Sequence, residues 1–242
     1  MAATAVVAAG YELVQDGTLP GKYTLVPPEA PAGSGLGAVV ALHGAGSTAA
    51  RLADQVAGAM TAARITRFAV ICVDGGSTYW HERASGDDPI GMIIHEVLPC
   101  AAAAGLTTRR IGIAGESMGG YGALLLAQRV AAPGVAAVAA LSPAIFASYA
   151  DARSANPGSF DSQQDFVRND VFAGLSALRH VPVWVACGAD DPFQPEAALF
   201  RARLGALTGH QVPGGITSGC HDEAFWQRTM PAALQFFGRH LG

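Results

Sequence analysis

The sequence has little charge, few cysteines and no long apolar run, and each shortage argues against a class of protein. Charged residues make up 14% of its 242 residues and the net charge is -4, which argues against a nucleic-acid partner. The four cysteines form no CxxC or CxxH pair, so we expect neither a zinc site nor a disulfide scaffold. No apolar run approaches the ~18–20 residues that cross a bilayer, so no membrane span is predicted.

The N-terminal segment MAATAVVAAGYE does not have the pattern of a secretory signal. It has no basic region, and its apolar core is too short. We therefore expect a cytoplasmic protein, although a signal peptide removed beforehand would leave the same pattern.

Hydrophobic residues, in contrast, make up 50% of the chain, enough for the core of one α/β domain over residues 1–242. Strand-like segments are predicted at 11–17, 22–27, 37–44, 68–76, 109–116, 135–143 and 181–190. Helices are predicted at 49–63, 89–105, 119–131, 195–207 and 224–241, and 151–170 is a polar stretch. Apolar strands that alternate with helices predict a mostly parallel sheet with helices on both faces. In such sheets, ligands bind at the carboxyl ends of the strands.

The segment GESMG, residues 115–119, fits the G-x-S-x-G pattern of a nucleophile elbow. It follows a predicted strand and opens a predicted helix, as that tight turn requires. Gly115 and Gly119 carry no Cβ atom that would clash in the turn, so the hydroxyl of Ser117 can project clear of the sheet. Ser117 is the candidate nucleophile.

A serine nucleophile needs a base and an acid that orients the base, and this motif predicts the chain order serine, acid, histidine. Of the seven histidines, His221 follows the last predicted strand and precedes the final helix, which favours it as base. The acid is predicted in the loop ADDPF, where Asp190 and Asp191 both remain candidates.

The charge that develops in acyl transfer needs backbone N–H donors. Met118, directly after the candidate nucleophile, supplies one. The second is expected from the loop after VVALHGAG, at Ala45 or Gly46. His43 is then interpreted as a residue that braces this loop.

Four segments together resemble the α/β-hydrolase superfamily: ALHGAG, GESMGGYGALLLA, CGADDPF and CHDEAFW. The resemblance runs from about residue 36 to the C-terminus and looks most like the esterase branch that includes esterase D and the mycolyltransferases. It implies an α/β-hydrolase fold and cleavage of a small-molecule ester or thioester through a serine acyl-enzyme, with no cofactor and no metal. It also implies Ser117 as nucleophile and His221 as base. Relatives commonly place the acid three residues after the strand-ending glycine and before a proline, which favours Asp191.

The sequence departs from these relatives at Glu116, where a bulky residue is common, so the substrate is not predicted from the resemblance. Glu116 and the loop GGSTYWHERASGDDP, with Tyr79 and Trp80, are candidates for lining a substrate pocket. An ordinary crossover loop with one buried tryptophan is the alternative for 75–89.

Two of the cysteines lie close in sequence to the candidate acid and base. Cys187 ends the strand before the acid, and Cys220 directly precedes the candidate base. We expect them to lie near each other beneath the site, as buried free thiols in preference to a disulfide.

Three alternatives to ester hydrolysis remain at the level of sequence. An acyltransferase would use the same residues. An NAD-binding oxidoreductase is suggested by VVALHGAGSTAARLA, a near match to a dinucleotide fingerprint, with Asp74 ending the next strand. A non-catalytic binding protein with a hydrolase fold is the third alternative.

Overall fold

Seven strands form one sheet in the computed structural model, which describes residues 23–26, 36–130 and 134–241. The strands are β1 Tyr23–Val26, β2 Gly37–Leu42, β3 Phe68–Val73, β4 Thr107–Glu116, β5 Val135–Leu141, β6 Val183–Gly188 and β7 Gly214–Thr217. Their spatial order is β1-β3-β2-β4-β5-β6-β7. Only the β1–β3 pair of this sheet is antiparallel, which confirms the predicted, mostly parallel sheet. The strand predicted at 11–17 lies outside the described residues.

Helices lie between the strands and cover the sheet. They are α1 Ala49–Ala63, α2 Pro89–Met92, α3 Leu98–Ala103, α4 Met118–Val130, α5 Tyr149–Ala155, α6 Gln163–Arg168, α7 Gln194–Thr208 and α8 Glu223–Gly238. The bounds of α1 are those predicted from the sequence. Within the described ranges, no helix has both the length and the apolarity to cross a membrane.

Both faces of the sheet are buried, and β2 shows how one short strand serves both of them. Its alternate residues Ala38, Val40 and Leu42 join a core cluster that includes residues of α2, α3, α4 and α7. Val39 and Ala41 point to the opposite face and pack in a second cluster with residues of α1 and α8. Because both faces need apolar residues, the strand is a continuous hydrophobic run.

The helix predicted at 89–105 is interrupted by a π-helical turn. The π turn spans Ile93–Val97 and joins α2 to α3. Pro99 lies in the first turn of α3 and has no N–H to donate to the carbonyl one α-turn earlier. A wider turn just ahead of the proline is one of the known responses to such a break.

The polar stretch 151–170, for which no element was predicted, overlaps two short helices, α5 and α6. Each begins with a serine whose side chain accepts a hydrogen bond from a backbone N–H three residues on, Ser148 from Asp151 and Ser162 from Asp165. This is the ordinary N-cap arrangement. The S-x-x-D pattern at both positions is the sequence signal for these helices.

Two helical glycines have opposite surroundings, which allows a matched test of packing on α4. A Cβ atom at Gly122 would lie 2.5 Å from the Trp80 ring, whereas Gly58 on α1 has nothing within 4 Å of an added Cβ. We expect Gly122→Ala to lower the free energy of unfolding by roughly 1–3 kcal/mol, since the buried ring has to move. Gly58→Ala should raise it by about 0.5–1 kcal/mol through helix propensity alone.

Urea unfolding of both variants checks this expectation. A stabilising effect of the same size in both would show that the close approach of Trp80 to α4 does not determine the stability of this helix.

Candidate active site

Three side chains from separate loops meet at the carboxyl edge of the sheet. Ser117 follows β4, Asp191 follows β6, and His221 lies between β7 and α8. The Oγ of Ser117 is 2.8 Å from Nε2 of His221, and Nδ1 of His221 is 2.8 Å from Oδ2 of Asp191. The arrangement has the connectivity of a nucleophile, a base and an orienting acid.

The turn at Ser117 has the backbone geometry predicted for an elbow. Its φ is +55°, in the left-handed region that few residues with a side chain adopt. A Cβ atom at Gly115 would overlap the backbone of Gly119, and one at Gly119 would overlap the carbonyl of Leu42. The two glycines therefore let β4, α4 and the end of β2 approach each other at backbone distance.

The proton positions on His221 follow from its partners. An ionised carboxylate only accepts hydrogen bonds, so Nδ1 carries the proton toward Asp191, and Nε2 is left to accept from Ser117. The ring is also held by aromatic contacts, with centroids 5.1 Å from Phe193 and 5.2 Å from Trp226. These two rings were not singled out from the sequence. The segments CGADDPF and CHDEAFW contained them, and only the fold brings them to the histidine.

Asp191 is kept ionised in spite of its burial. Its side chain has no exposed surface, and burial alone would raise its pKa. The hydrogen bond from His221 and the one from the Phe193 N–H, 2.8 Å from Oδ1, outweigh this effect and hold the pKa below its ordinary value. Asp190 is exposed, and its backbone N–H donates to the carbonyl of Gly219. Of the two aspartates that the residues left open, Asp191 is the one in contact with His221.

The two backbone donors predicted for a developing oxyanion belong to α4 and to the glycine-rich loop after β2. Met118 is the first residue of α4, where an N–H has no acceptor within the helix. In the facing loop, the Gly46 N–H is directed at the Ser77 hydroxyl, 3.4 Å away, which leaves the Ala45 N–H as the candidate. A Cβ atom at Gly44 would contact the Ser117 Cβ at 3.3 Å, so the glycine-rich loop packs directly on the serine.

His43 braces this loop, as its sequence context suggested. It has no exposed surface, its Nδ1 is 2.8 Å from the Gly44 carbonyl oxygen, and its Nε2 accepts from the Gly75 N–H at 3.3 Å. The His43 carbonyl accepts a hydrogen bond from the Trp80 indole at 3.3 Å. These contacts tie the loop that carries Ala45 to the crossover loop after β3.

The crossover loop 75–89 does contribute to a cavity, but Tyr79 and Trp80 do not line it. The cavity has a volume of about 570 Å³, and Thr78 is among its lining residues. Trp80 is fully buried and Tyr79 is 4% exposed. We therefore correct the expectation that these two rings face a substrate pocket. Both have positive φ values, and Tyr79 packs among Tyr121, Phe146 and Phe160.

Glu116, the other candidate pocket residue, is also buried, with 2% of its surface exposed. Its Oε2 accepts no hydrogen bond from the described part of the chain. Burial, reinforced by the charge of Glu223 and opposed by that of Arg51, raises its pKa to about 7. The charges that act on this carboxyl belong to Arg51 on α1 and Glu223 on α8, so the expectation that Glu116 lines an open pocket is also corrected.

The four cysteines are free thiols, as the sequence favoured. Cys187 is buried, and burial together with the charge of Asp191 raises its pKa to about 12. Cys220 is exposed, so the expectation that both thiols are buried beneath the site holds only for Cys187.

The buried carboxyl of Glu116 generates a prediction about stability. Its pKa of about 7 in the folded chain lies above the ordinary value of 4.5, so the folded state binds more protons between these values. The free energy of unfolding therefore falls as pH rises from about 4.5 to about 7, by roughly 3 kcal/mol from this group. We expect Glu116→Gln, which cannot ionise, to lose this part of the pH dependence.

Urea unfolding at several pH values between 4 and 8 measures the effect. The exposed residue Glu82 supplies a control, since Glu82→Gln should leave the pH dependence of the wild type unchanged. If Glu116→Gln and the wild type have parallel stability curves over this range, Glu116 does not titrate as described.

Solved structures with the same fold include several ester hydrolases. A ferulic acid esterase aligns with a TM-score of 0.74 and 20% identity, covering 91% of this chain and 92% of that chain. FphF, a fluorophosphonate-binding serine hydrolase of Staphylococcus aureus, aligns with a TM-score of 0.72 and 20% identity, covering 90% and 94%. The S-formylglutathione hydrolase FrmB of Staphylococcus aureus aligns with a TM-score of 0.69 and 20% identity, covering 88% of this chain and 91% of that chain. At this level of identity, the likeness establishes the α/β-hydrolase fold.

A family-level match extends over nearly the whole chain. No curated protein sequence matches the chain. The family described as "Putative esterase" matches residues 18–237, which include the elbow, the glycine-rich loop and the histidine segment. The chain therefore belongs to this esterase family and is a carboxylesterase-type hydrolase with the α/β-hydrolase fold.

Proposed function

We propose that the protein hydrolyses carboxylic esters or thioesters of small molecules through an acyl-enzyme on Ser117, with His221 as base and Asp191 as orienting acid. The observation that carries the proposal is the unbroken chain of two 2.8 Å contacts from Ser117 through His221 to Asp191. It occurs on a left-handed elbow in a member of an esterase family.

The first chemical step is attack of Ser117 on the ester carbonyl. The Oγ proton passes to Nε2 of His221 as the new C–O bond forms, and the imidazolium is stabilised by the adjacent carboxylate of Asp191. The proton then passes from Nε2 to the leaving alcohol or thiol, which departs and leaves the acyl group on Ser117. Asp191 stays ionised throughout, which agrees with its lowered pKa.

The negative oxygen of the tetrahedral intermediate is stabilised by the N–H groups of Met118 and Ala45. They flank Ser117 from α4 and from the glycine-rich loop, and the position of Met118 at a helix N-terminus adds the favourable end of the helix dipole. Gly44 packs directly on Ser117. This contact accounts for the glycine-rich loop near residue 44 and needs no bound dinucleotide, as the oxidoreductase alternative would.

Hydrolysis of the acyl-enzyme requires water at His221. The side chain of His221 is 21% exposed, so solvent reaches the imidazole, and a water that binds at Nε2 in the acyl-enzyme can be deprotonated there. An alcohol that entered in place of water would make the same site an acyltransferase. We favour hydrolysis, in the cytoplasm as the sequence predicts.

Replacement of Ser117 by alanine is the first test. We expect Ser117→Ala to lose at least three orders of magnitude in kcat on p-nitrophenyl acetate, with an unchanged urea midpoint, since the base-activated nucleophile is gone. The wild type should react covalently with a fluorophosphonate probe, and the alanine variant should not. A variant that keeps more than about a tenth of the rate would remove Ser117 from the nucleophile role.

The two aspartates of the ADDPF loop provide a matched pair for the acid. An asparagine in place of the acid keeps the shape of the side chain but favours the wrong tautomer of the histidine. In serine proteases, this substitution lowers kcat by about 10⁴-fold. We therefore expect a severe loss for Asp191→Asn. Asp190→Asn, on the exposed neighbour, should stay within about two-fold of wild type, as surface substitutions usually have small effects. The reverse ranking of kcat values would assign the acid role to Asp190.

A further inference from the structure

Ser142, the first residue after β5, has an unusual combination of strain and burial. Its φ is +44°, in the left-handed region, and it has no exposed surface. A residue with a Cβ atom costs roughly 1–2 kcal/mol in this conformation, and glycine would adopt it freely. A serine kept there at such a cost suggests that its hydroxyl has a use.

The sheet register brings Ser142 between the nucleophile and the acid. The preceding residue, Leu141, pairs with Glu116 on β4 and with Ala186 on β6. Ser142 therefore stands level with Ser117 on one side and with Cys187 on the other. The Ser142 N–H donates to the Ala186 carbonyl at 2.7 Å, which ties the turn to β6.

The same turn is also tied to the elbow. The Ala144 N–H donates to the carbonyl of Ser117 at 2.9 Å. The backbone on both sides of Ser142 is thus held by its neighbours, and the position of the side chain is determined by the two adjoining strands.

The hydroxyl of Ser142 is buried next to a group that can use its proton. Its Oγ completes no hydrogen bond within the described part of the chain. It nevertheless lies close enough to Asp191 to help His221 and the Phe193 N–H lower the pKa of that carboxyl against the effect of burial. An unpaired buried hydroxyl is costly, whereas a carboxylate oxygen is the strongest acceptor available in this site.

Asp191 has acceptor capacity left for this donor. A carboxylate has about four lone-pair directions, and Oδ1 and Oδ2 each accept one hydrogen bond in the structure, from Phe193 and His221. Cys187 also borders the carboxylate, and its raised pKa of about 12 keeps the thiol protonated. A thiol is a weak donor, so the hydroxyl is the better candidate for the remaining bond.

We propose that Ser142 is a positioning residue for the catalytic acid: its hydroxyl donates to the Asp191 carboxylate and holds it in the orientation that His221 Nδ1 requires. The inference rests on the proposed roles of Asp191 and His221. Ser142 touches no substrate and acts only through the acid.

Two variants separate the hydroxyl from the backbone strain. Ser142→Ala removes the hydroxyl and keeps the Cβ atom, whereas Ser142→Gly removes the hydroxyl and also relieves the left-handed strain. We expect kcat on p-nitrophenyl acetate to fall about ten-fold in both, with KM within two-fold of wild type, since one charge-assisted hydrogen bond is lost. The glycine variant should fold even if the alanine variant does not.

The pH profile supplies a readout that a merely structural role would not change. Without the positive end of the O–H dipole, the Asp191–His221 pair holds a proton more tightly. The acid limb of the pH profile, where kcat/KM rises with pH, should therefore move to higher pH by roughly a few tenths of a unit in both variants. Ser159, which is 1% exposed and remote from the triad in sequence and contacts, gives the control. Ser159→Ala should leave both kcat and the acid limb unchanged.

The outcomes distinguish this inference from the proposed function. If Ser142→Gly keeps the wild-type kcat and acid limb while Asp191→Asn is inactive, the triad stands and the role of Ser142 is overturned. That role is also overturned if only the alanine variant is impaired, because the glycine variant would then be fully active without the hydroxyl. If the wild type does not react with a fluorophosphonate and Asp191→Asn is fully active, the proposed function itself fails.

Discussion

The left-handed turn at Ser117 is the constraint on which the rest of the site depends. It places a side chain at a φ of +55° between a buried strand and a buried helix, so every neighbouring backbone must come very close. The Ser117 N–H donates to the Leu141 carbonyl, and the Ser117 carbonyl accepts from Tyr121 and from Ala144. These bonds join β4, α4 and the turn after β5 into one rigid unit. The position of Ser117 is therefore determined by three separate elements.

Two buried carboxyls near this turn have opposite electrostatic surroundings. Asp191 receives hydrogen bonds from His221 and from a backbone N–H, and it remains ionised in spite of burial. Glu116 has one oxygen without a donor in the described part of the chain, lies near Glu223, and has a pKa raised to about 7. Burial alone does not explain why the pKa values of the two carboxyls shift in opposite directions, since both residues are at least 96% buried. The number of donors aimed at each carboxyl determines which one carries a charge at neutral pH.

The loop that faces Ser117 is supported by residues that touch no substrate. His43 and Trp80 are both fully buried, their rings meet edge to face at 5.3 Å, and the indole N–H bonds to the His43 carbonyl. Trp80 also fills the space over Gly122 on α4. Trp80, in the crossover loop, is therefore part of the hydrophobic core. The hydrogen bonds of His43 and Trp80 tie the loop that carries Ala45 to the crossover loop.

Local sequence determined the strands β1–β6, the long helices α1, α4, α7 and α8, the elbow and the chain order of the three candidate residues. It did so because strand and helix periodicity and the G-x-S-x-G geometry are properties of consecutive residues. The tertiary structure decided everything that depends on distance between segments. The residues themselves left Asp190 and Asp191 open and only the resemblance favoured Asp191, whereas the structure shows that the Asp191 side chain reaches His221. Tyr79 and Trp80 resemble pocket residues in the sequence, but the fold buries both side chains in the core. Ser142 carries no motif, and it becomes visible only when the register of β4, β5 and β6 sets it beside Ser117 and Cys187.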